Sequence, residues 1–105
     1  MTNSSQTPSQ PDELQEQIQE QIRSAVSRSE VEPNFPIICE ICKTLCINIR
    51  QIGCEKDKLN CVKFCNVAGP LQGTCLGICD AIVDAVCLKE GIKDCSKWCG
   101  DKGYC

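Results

Sequence analysis

Four pairs of cysteines, Cys42/Cys46, Cys61/Cys65, Cys75/Cys79 and Cys95/Cys99, share the spacing C-x3-C. On a helix that spacing sets two sulfurs on one face, one turn apart. Thiols placed this way can close disulfides with a matching pair on a neighbouring helix. They can also hold a soft metal such as Cu(I), or act as redox thiolates. Cys39, Cys54, Cys87 and Cys105 complete a set of 12, none of them before residue 39. Histidine is absent. Its absence excludes Ser-His and Cys-His catalysis and any Cys/His zinc site, and leaves acid–base work to carboxylates or lysines. Nothing in the pattern asks for a cofactor, and no enzymatic activity is expected.

The cysteines repeat as a group. Cys42, Cys46, Cys54, Cys61 and Cys65 are spaced C-x3-C-x7-C-x6-C-x3-C, and Cys75, Cys79, Cys87, Cys95 and Cys99 are spaced C-x3-C-x7-C-x7-C-x3-C. The offset is 33 to 34 residues, and Lys63-Phe64 before Cys65 matches Lys97-Trp98 before Cys99. Two antiparallel helices that each carry C-x3-C can be joined twice, the first cysteine of one meeting the second of the other. Applied within each repeat, this predicts Cys42–Cys65 with Cys46–Cys61, and Cys75–Cys99 with Cys79–Cys95. Repeat symmetry then suggests Cys54–Cys87 as a link between the halves, and Cys39–Cys105, left over, would tie the ends. Connectivity does not follow from spacing alone.

These sulfurs need helices to position them. Ile38, Ile41, Cys42, Leu45, Cys46, Ile49 and Ile52 make a broad apolar face over 37–52, with Asn34 as a candidate cap and Gly53 as a terminator. A shorter helix near 58–66, capped by Asp57, carries Cys61, Phe64 and Cys65, and Gly69-Pro70 ends it. Leu71, Cys75, Ile78, Cys79, Ile82, Val83, Val86 and Cys87 repeat the pattern, with Asp80 and Asp84 on the other side. Gly91 precedes a last short helix near 92–99, followed by Gly100. The expected fold is all-α, small and disulfide-rich: two stapled helical hairpins in a compact four-helix bundle, preceded by a loosely ordered N-terminal helix. Only four aromatics, Phe35, Phe64, Trp98 and Tyr104, are available to fill it, so staples have to supplement the core.

The front of the chain differs. Residues 1–10 are polar and read as disordered. Pro11 with Asp12 and Glu13 opens a helix near 11–28 that carries Leu14, Ile18, Ile22, Ala25 and Val26 as one narrow stripe. Residues 1–32 carry a net −4 and residues 33–105 a net +1, within a total of −3. Residues 1–36 therefore read as an acidic leader or pro-segment and 37–105 as a cysteine-rich helical domain, with a linker between 27 and 36. The leader helix suits the groove of an export or processing partner. Nothing is basic enough for nucleic-acid binding. The N-terminus lacks the basic and apolar regions of a standard secretory signal. Disulfides need an oxidising compartment, so the expectation of secretion leaves the export route open.

Three other readings compete. Cys39-x2-Cys42-x3-Cys46 resembles a motif of cytosolic copper-storage bundles, whose function would be Cu(I) storage. Cys39-Glu40-Ile41-Cys42 is a C-x-x-C, but without the strand–helix context of a redox site. A structural module with no activity, or a disulfide-rich inhibitor or signalling module, fits the same cysteines. Lys56, Lys58, Lys63, Lys89, Lys93, Lys97 and Lys102 are the solvated face of short helices. Alternatively, Lys63 and Lys97 approach an anionic membrane that Phe64 and Trp98 anchor.

The cysteine-rich segment resembles the halocin family of microcin-type bacteriocins, its C-eight type and bacterial relatives. The match lies in the opening Cys39-x2-Cys42, in Cys75-Leu76-Gly77 followed by an apolar helix to Cys87, and in the closing Cys99-x5-Cys105 with Gly103 near the end. The chain carries more cysteines, more closely spaced, and more charge than the family pattern. The resemblance implies a secreted antimicrobial precursor whose C-terminal segment disrupts the membranes of related cells. Its partners would be the target-cell membrane, export or processing machinery, and an immunity protein.

Overall fold

In the computed structural model, residues 11–54, 59–88 and 91–105 are described. The first helix, α1 (Pro11–Val31), begins with proline at a position whose N–H needs no partner. Its stripe is buried as the periodicity requires: Ile18 and Ile22 are fully enclosed and Ala25 nearly so. Glu16, Glu20 and Arg23 face water, and the exposed Glu20–Arg23 pair spans 2.7 Å. The helix runs three residues beyond the expected end, to Val31, before Pro33 stops it. A turn closes over residues 32–36. The Glu32 and Phe35 N–H groups donate to the carbonyls of Arg28 and Glu32, and the Arg28 guanidinium lies 4.4 Å over the Phe35 ring.

Helix α2 (Ile37–Ile52) has the expected bounds and buries Ile41, Cys42, Leu45, Cys46 and Ile49. Its N-cap is Pro36, without a side-chain hydrogen bond, rather than Asn34. The Ile37 N–H donates to the Phe35 carbonyl, so the turn carries the chain two residues past Asn34 before the helix begins. Helix α3 (Cys61–Cys65) is shorter than expected. Asn60 caps it, its side-chain oxygen accepting from the Lys63 N–H at 3.1 Å. The anticipated cap, Asp57, lies outside the described residues.

A 3-10 turn (Asn66–Leu71) then reverses the chain. Gly69 sits there at φ 61°, ψ −125°, a combination open to glycine and strained for other residues. Helix α4 (Gln72–Leu88) follows at once and buries Cys75, Ile78, Cys79, Ile82 and Ala85. Helix α5 (Cys95–Asp101) is capped by Asp94, which accepts from the Lys97 N–H at 3.2 Å. Gly100 lies inside α5, not after it; Gly103, at φ 87°, takes the left-handed position. That position lets the Tyr104 and Cys105 N–H groups return to the Cys99 carbonyl.

Helices as short as α3 and α5 hold few internal hydrogen bonds, so their caps matter. Asn60→Ala and Asp94→Ala should each cost about 0.5–2 kcal/mol. Thermal unfolding of the oxidised protein measures this, with Asn34→Ala as a near-neutral control because Asn34 caps nothing.

The fold is the small disulfide-rich all-α fold expected, with a different arrangement of partners. α2 packs on α4 and α5, and α3 packs on α4. Neither α2 with α3 nor α4 with α5 packs together, although each pair is adjacent in sequence. α1 lies across α2, α3 and the 3-10 turn, filling the space between the first two.

Candidate functional site: a nested disulfide ladder and its aromatic edge

All 12 cysteines are paired. The pairs are Cys39–Cys105, Cys42–Cys99, Cys46–Cys95, Cys54–Cys87, Cys61–Cys79 and Cys65–Cys75. The order is fully nested. The first cysteine joins the last, the second the second-last, and so on inward to the sixth and seventh. The separations shrink through 66, 57, 49, 33, 18 and 10 residues. The cysteine-bearing part of the chain, 39–105, is laced across the reversal at Gly69-Pro70.

Four expected pairs are therefore corrected. Cys42 joins Cys99 rather than Cys65, Cys46 joins Cys95 rather than Cys61, Cys75 joins Cys65, and Cys79 joins Cys61. The cause is the helix packing: the hairpins assumed from sequence, α2/α3 and α4/α5, do not form contacts. The local geometry is as expected. In each stapled pair of helices, the first cysteine of one meets the second of the other, at Cα separations of 5.6–6.1 Å. Cys54–Cys87 is the link that repeat symmetry suggests, and Cys39–Cys105 is the tie between the two cysteines it leaves over.

The ladder leaves no thiolate. With every sulfur in a disulfide, the Cys39/Cys42/Cys46 set cannot ligate Cu(I) in this state. Among the described residues, no group of three or more Cys, Asp, Glu or His side chains is placed to hold a metal ion.

The four residues proposed to meet a membrane are not brought together, because α3 and α5 do not touch. Phe64 is 1 % exposed and belongs to the core. The aromatic at this position points inward because α3 is covered by α1 on one side and stapled to α4 on another. As an anchor in the intact fold, Phe64 is therefore corrected. Lys63 is exposed, and its carbonyl accepts from the Gln19 side chain at 2.7 Å. Trp98 is half-buried and Lys97 exposed.

Around Trp98 the structure assembles a small edge that repeat matching misses. The Tyr104 ring centroid is 6.4 Å away, and Lys102 Nζ lies 5.5 Å from the indole centroid. The signal in the sequence is the i, i+4 spacing of Trp98 and Lys102, which places them on one helix face. Asp94 and Asp101 flank the same short helix, so the edge is amphipathic without being strongly cationic.

Cys61–Leu88 is long and apolar enough to cross a membrane, and 28 % of its most apolar stretch is buried. The reversal at Gly69-Pro70 and the Cys61–Cys79 and Cys65–Cys75 bonds fold it into a hairpin instead. Most of its apolar residues are buried or half-buried in that hairpin, and Val62 at 60 % and Leu88 at 78 % exposure are the large hydrophobics it leaves in water. Comparison with protein families, curated proteins and solved structures finds no match to this chain.

Proposed function

We propose that the chain is the precursor of a secreted antimicrobial peptide, a bacteriocin that acts by disrupting the membrane of target cells. The observation that carries this reading is the complete pairing of 12 cysteines around an apolar hairpin that leaves Val62 and Leu88 in water. Six disulfides suit an oxidising, extracellular setting. They also hold a rigid body that resists unfolding and proteolysis. Val62 and Leu88, exposed on that hairpin, gain free energy by partitioning into lipid. Trp98 and Tyr104 with Lys97 and Lys102 suit the headgroup region, where rings with polar tips and long basic side chains are stable. The resemblance of Cys39-x2-Cys42, Cys75-Leu76-Gly77 and Cys99-x5-Cys105 to halocins supports the same reading. No catalysis enters it. The partners are the target membrane, the machinery that exports or processes residues 1–36, and an immunity protein.

Growth inhibition tests the reading. Oxidised protein freed of residues 1–32 should inhibit some member of a panel of prokaryotic strains and release dye from anionic vesicles. It should retain both effects after heating and lose them after reduction and alkylation. Failure to inhibit any strain together with failure to release dye refutes the proposal. The inhibitor or signalling alternative predicts that negative outcome with the six disulfides intact.

A further inference from the structure

The N-terminal helix is attached to the rest of the molecule differently from every other helix. α2, α4 and α5, and α3 with its 3-10 turn, are all bound into the ladder. α1 has no cysteine, and no disulfide reaches it. It nevertheless lies on α2, α3 and the 3-10 turn and inserts Ile18 and Ile22, both fully buried, into the shared core. Among the described residues, the Arg28 guanidinium of α1 lies over Phe35 in the tether, and the polar ties of α1 to the body beyond it are two exposed hydrogen bonds. These run from Gln19 Nε2 to the Lys63 carbonyl at 2.7 Å and from Asn48 Nδ2 to Gln21 Oε1 at 3.1 Å. Its ion pairs, Glu20–Arg23 and Arg28–Glu32, stay on its own side. Its only covalent tie is the backbone through residues 32–36, where Glu32, Pro33, Asn34 and Pro36 are exposed.

We infer that α1 is a removable cover: cutting the chain between residues 32 and 36 releases it and bares an apolar face formed by α2, α3 and the 3-10 turn. The reason is concentration as much as contact. A short tether holds α1 over its groove at an effective concentration on the order of millimolar. Once cut, α1 must rebind from bulk solution. As a free peptide it also loses the tertiary packing from which a protein helix draws most of its stability, so rebinding must refold it. The body keeps its shape because its helices are cross-linked to one another. Exposed polar turns such as 32–36 are where proteases act. The inference deepens the membrane reading, since the bared face would add to the apolar surface of the Cys61–Leu88 hairpin. The release itself does not depend on that reading.

The test uses the full oxidised chain with a sequence-specific protease site inserted between Pro33 and Asn34. The protein is folded first and cut afterwards. Native mass spectrometry reads whether α1 stays bound, 1-anilinonaphthalene-8-sulfonate fluorescence reads bared apolar surface, and dye release reads action on phosphatidylglycerol vesicles. We expect α1 to separate, the fluorescence to rise, and dye release to appear only after cutting. If α1 remains bound and fluorescence is unchanged, the cover is refuted. Dye release that is already full before cutting and unchanged after it refutes it too. Separation with a rise in fluorescence but no dye release upholds the cover and counts against the membrane reading instead. A second variant needs no cut. Ile18→Asp with Ile22→Asp in the intact chain should raise the fluorescence while all six disulfides persist, and unchanged fluorescence overturns the inference.

Discussion

Reduction and alkylation of the oxidised protein should abolish its folded structure, with loss of most helical circular dichroism at room temperature. Nineteen residues make up the buried core of the described chain, and seven of them are cysteines. Phe64 is the single aromatic among them. Alkylation removes the cross-links and forces bulky groups into sites that close packing cannot admit. Each disulfide in a domain of this size contributes about 2–4 kcal/mol, chiefly by restricting the unfolded chain. Six such terms together are comparable to or larger than the roughly 5–15 kcal/mol net stability of an ordinary domain. The nested order also bears on recovery. Cys65 and Cys75 are only 10 residues apart, so their loop is the cheapest to close. Each later bond then closes a short additional loop rather than its full separation. Retention of native helicity after alkylation would show that the core alone suffices.

The second large effect concerns Phe64. Phe64→Ala in the oxidised chain should lower stability by about 3–5 kcal/mol, the usual cost of emptying a buried aromatic site. Val62→Ala, two residues away on the same short helix but 60 % exposed, should change stability by less than about 0.5 kcal/mol. Guanidinium unfolding of the two variants reads the contrast. A solvent-facing anchor would reverse it, with Phe64→Ala leaving stability intact. The core position of Phe64 and the half-exposed position of Trp98 show that the repeat, though real in sequence, does not give its two aromatics the same environment.

The longer helices were legible because their periodicity is strong. Ile41, Leu45 and Ile49, and Ile78 and Ile82, recur at helical spacing, and those residues are buried. α2 has the bounds its apolar face suggests, and Gly69-Pro70 marks the reversal. The caps of the short helices were harder to place, because Asn60 and Asp57 are equally good cap types three residues apart and only the start of α3 separates them. The pairing was illegible for a more specific reason. The run C-x3-C-x7-C-x6-C-x3-C reads almost the same in both directions. A direct repeat of such a run is therefore nearly an inverted repeat as well. Pairing within each half and lacing across the midpoint satisfy the spacing equally. What decides between them is which helices touch, and α1 lies against both α2 and α3, which do not touch each other. α1 itself was visible as a stripe of Leu14, Ile18, Ile22 and Ala25. That the stripe is buried on the chain's own body, rather than waiting for an outside groove, needed the tertiary structure. The candidate membrane edge was half legible: Trp98 and Lys97 stand out in sequence, whereas Tyr104 reaches Trp98 through the turn that Gly103 permits.

The ladder is the premise on which both the stability and the proposed activity rest, and peptide mapping of the natively isolated protein tests it directly. The intact mass should fall below that of the reduced chain by the 12 hydrogens of six disulfides, with no cysteine open to alkylation before reduction. Proteolysis without reduction should yield peptides that join the Cys42/Cys46 segment to the Cys95/Cys99 segment, and the Cys61/Cys65 segment to the Cys75/Cys79 segment. Peptides joining Cys42/Cys46 to Cys61/Cys65, or thiols that label fully once a bound metal is chelated, would contradict it.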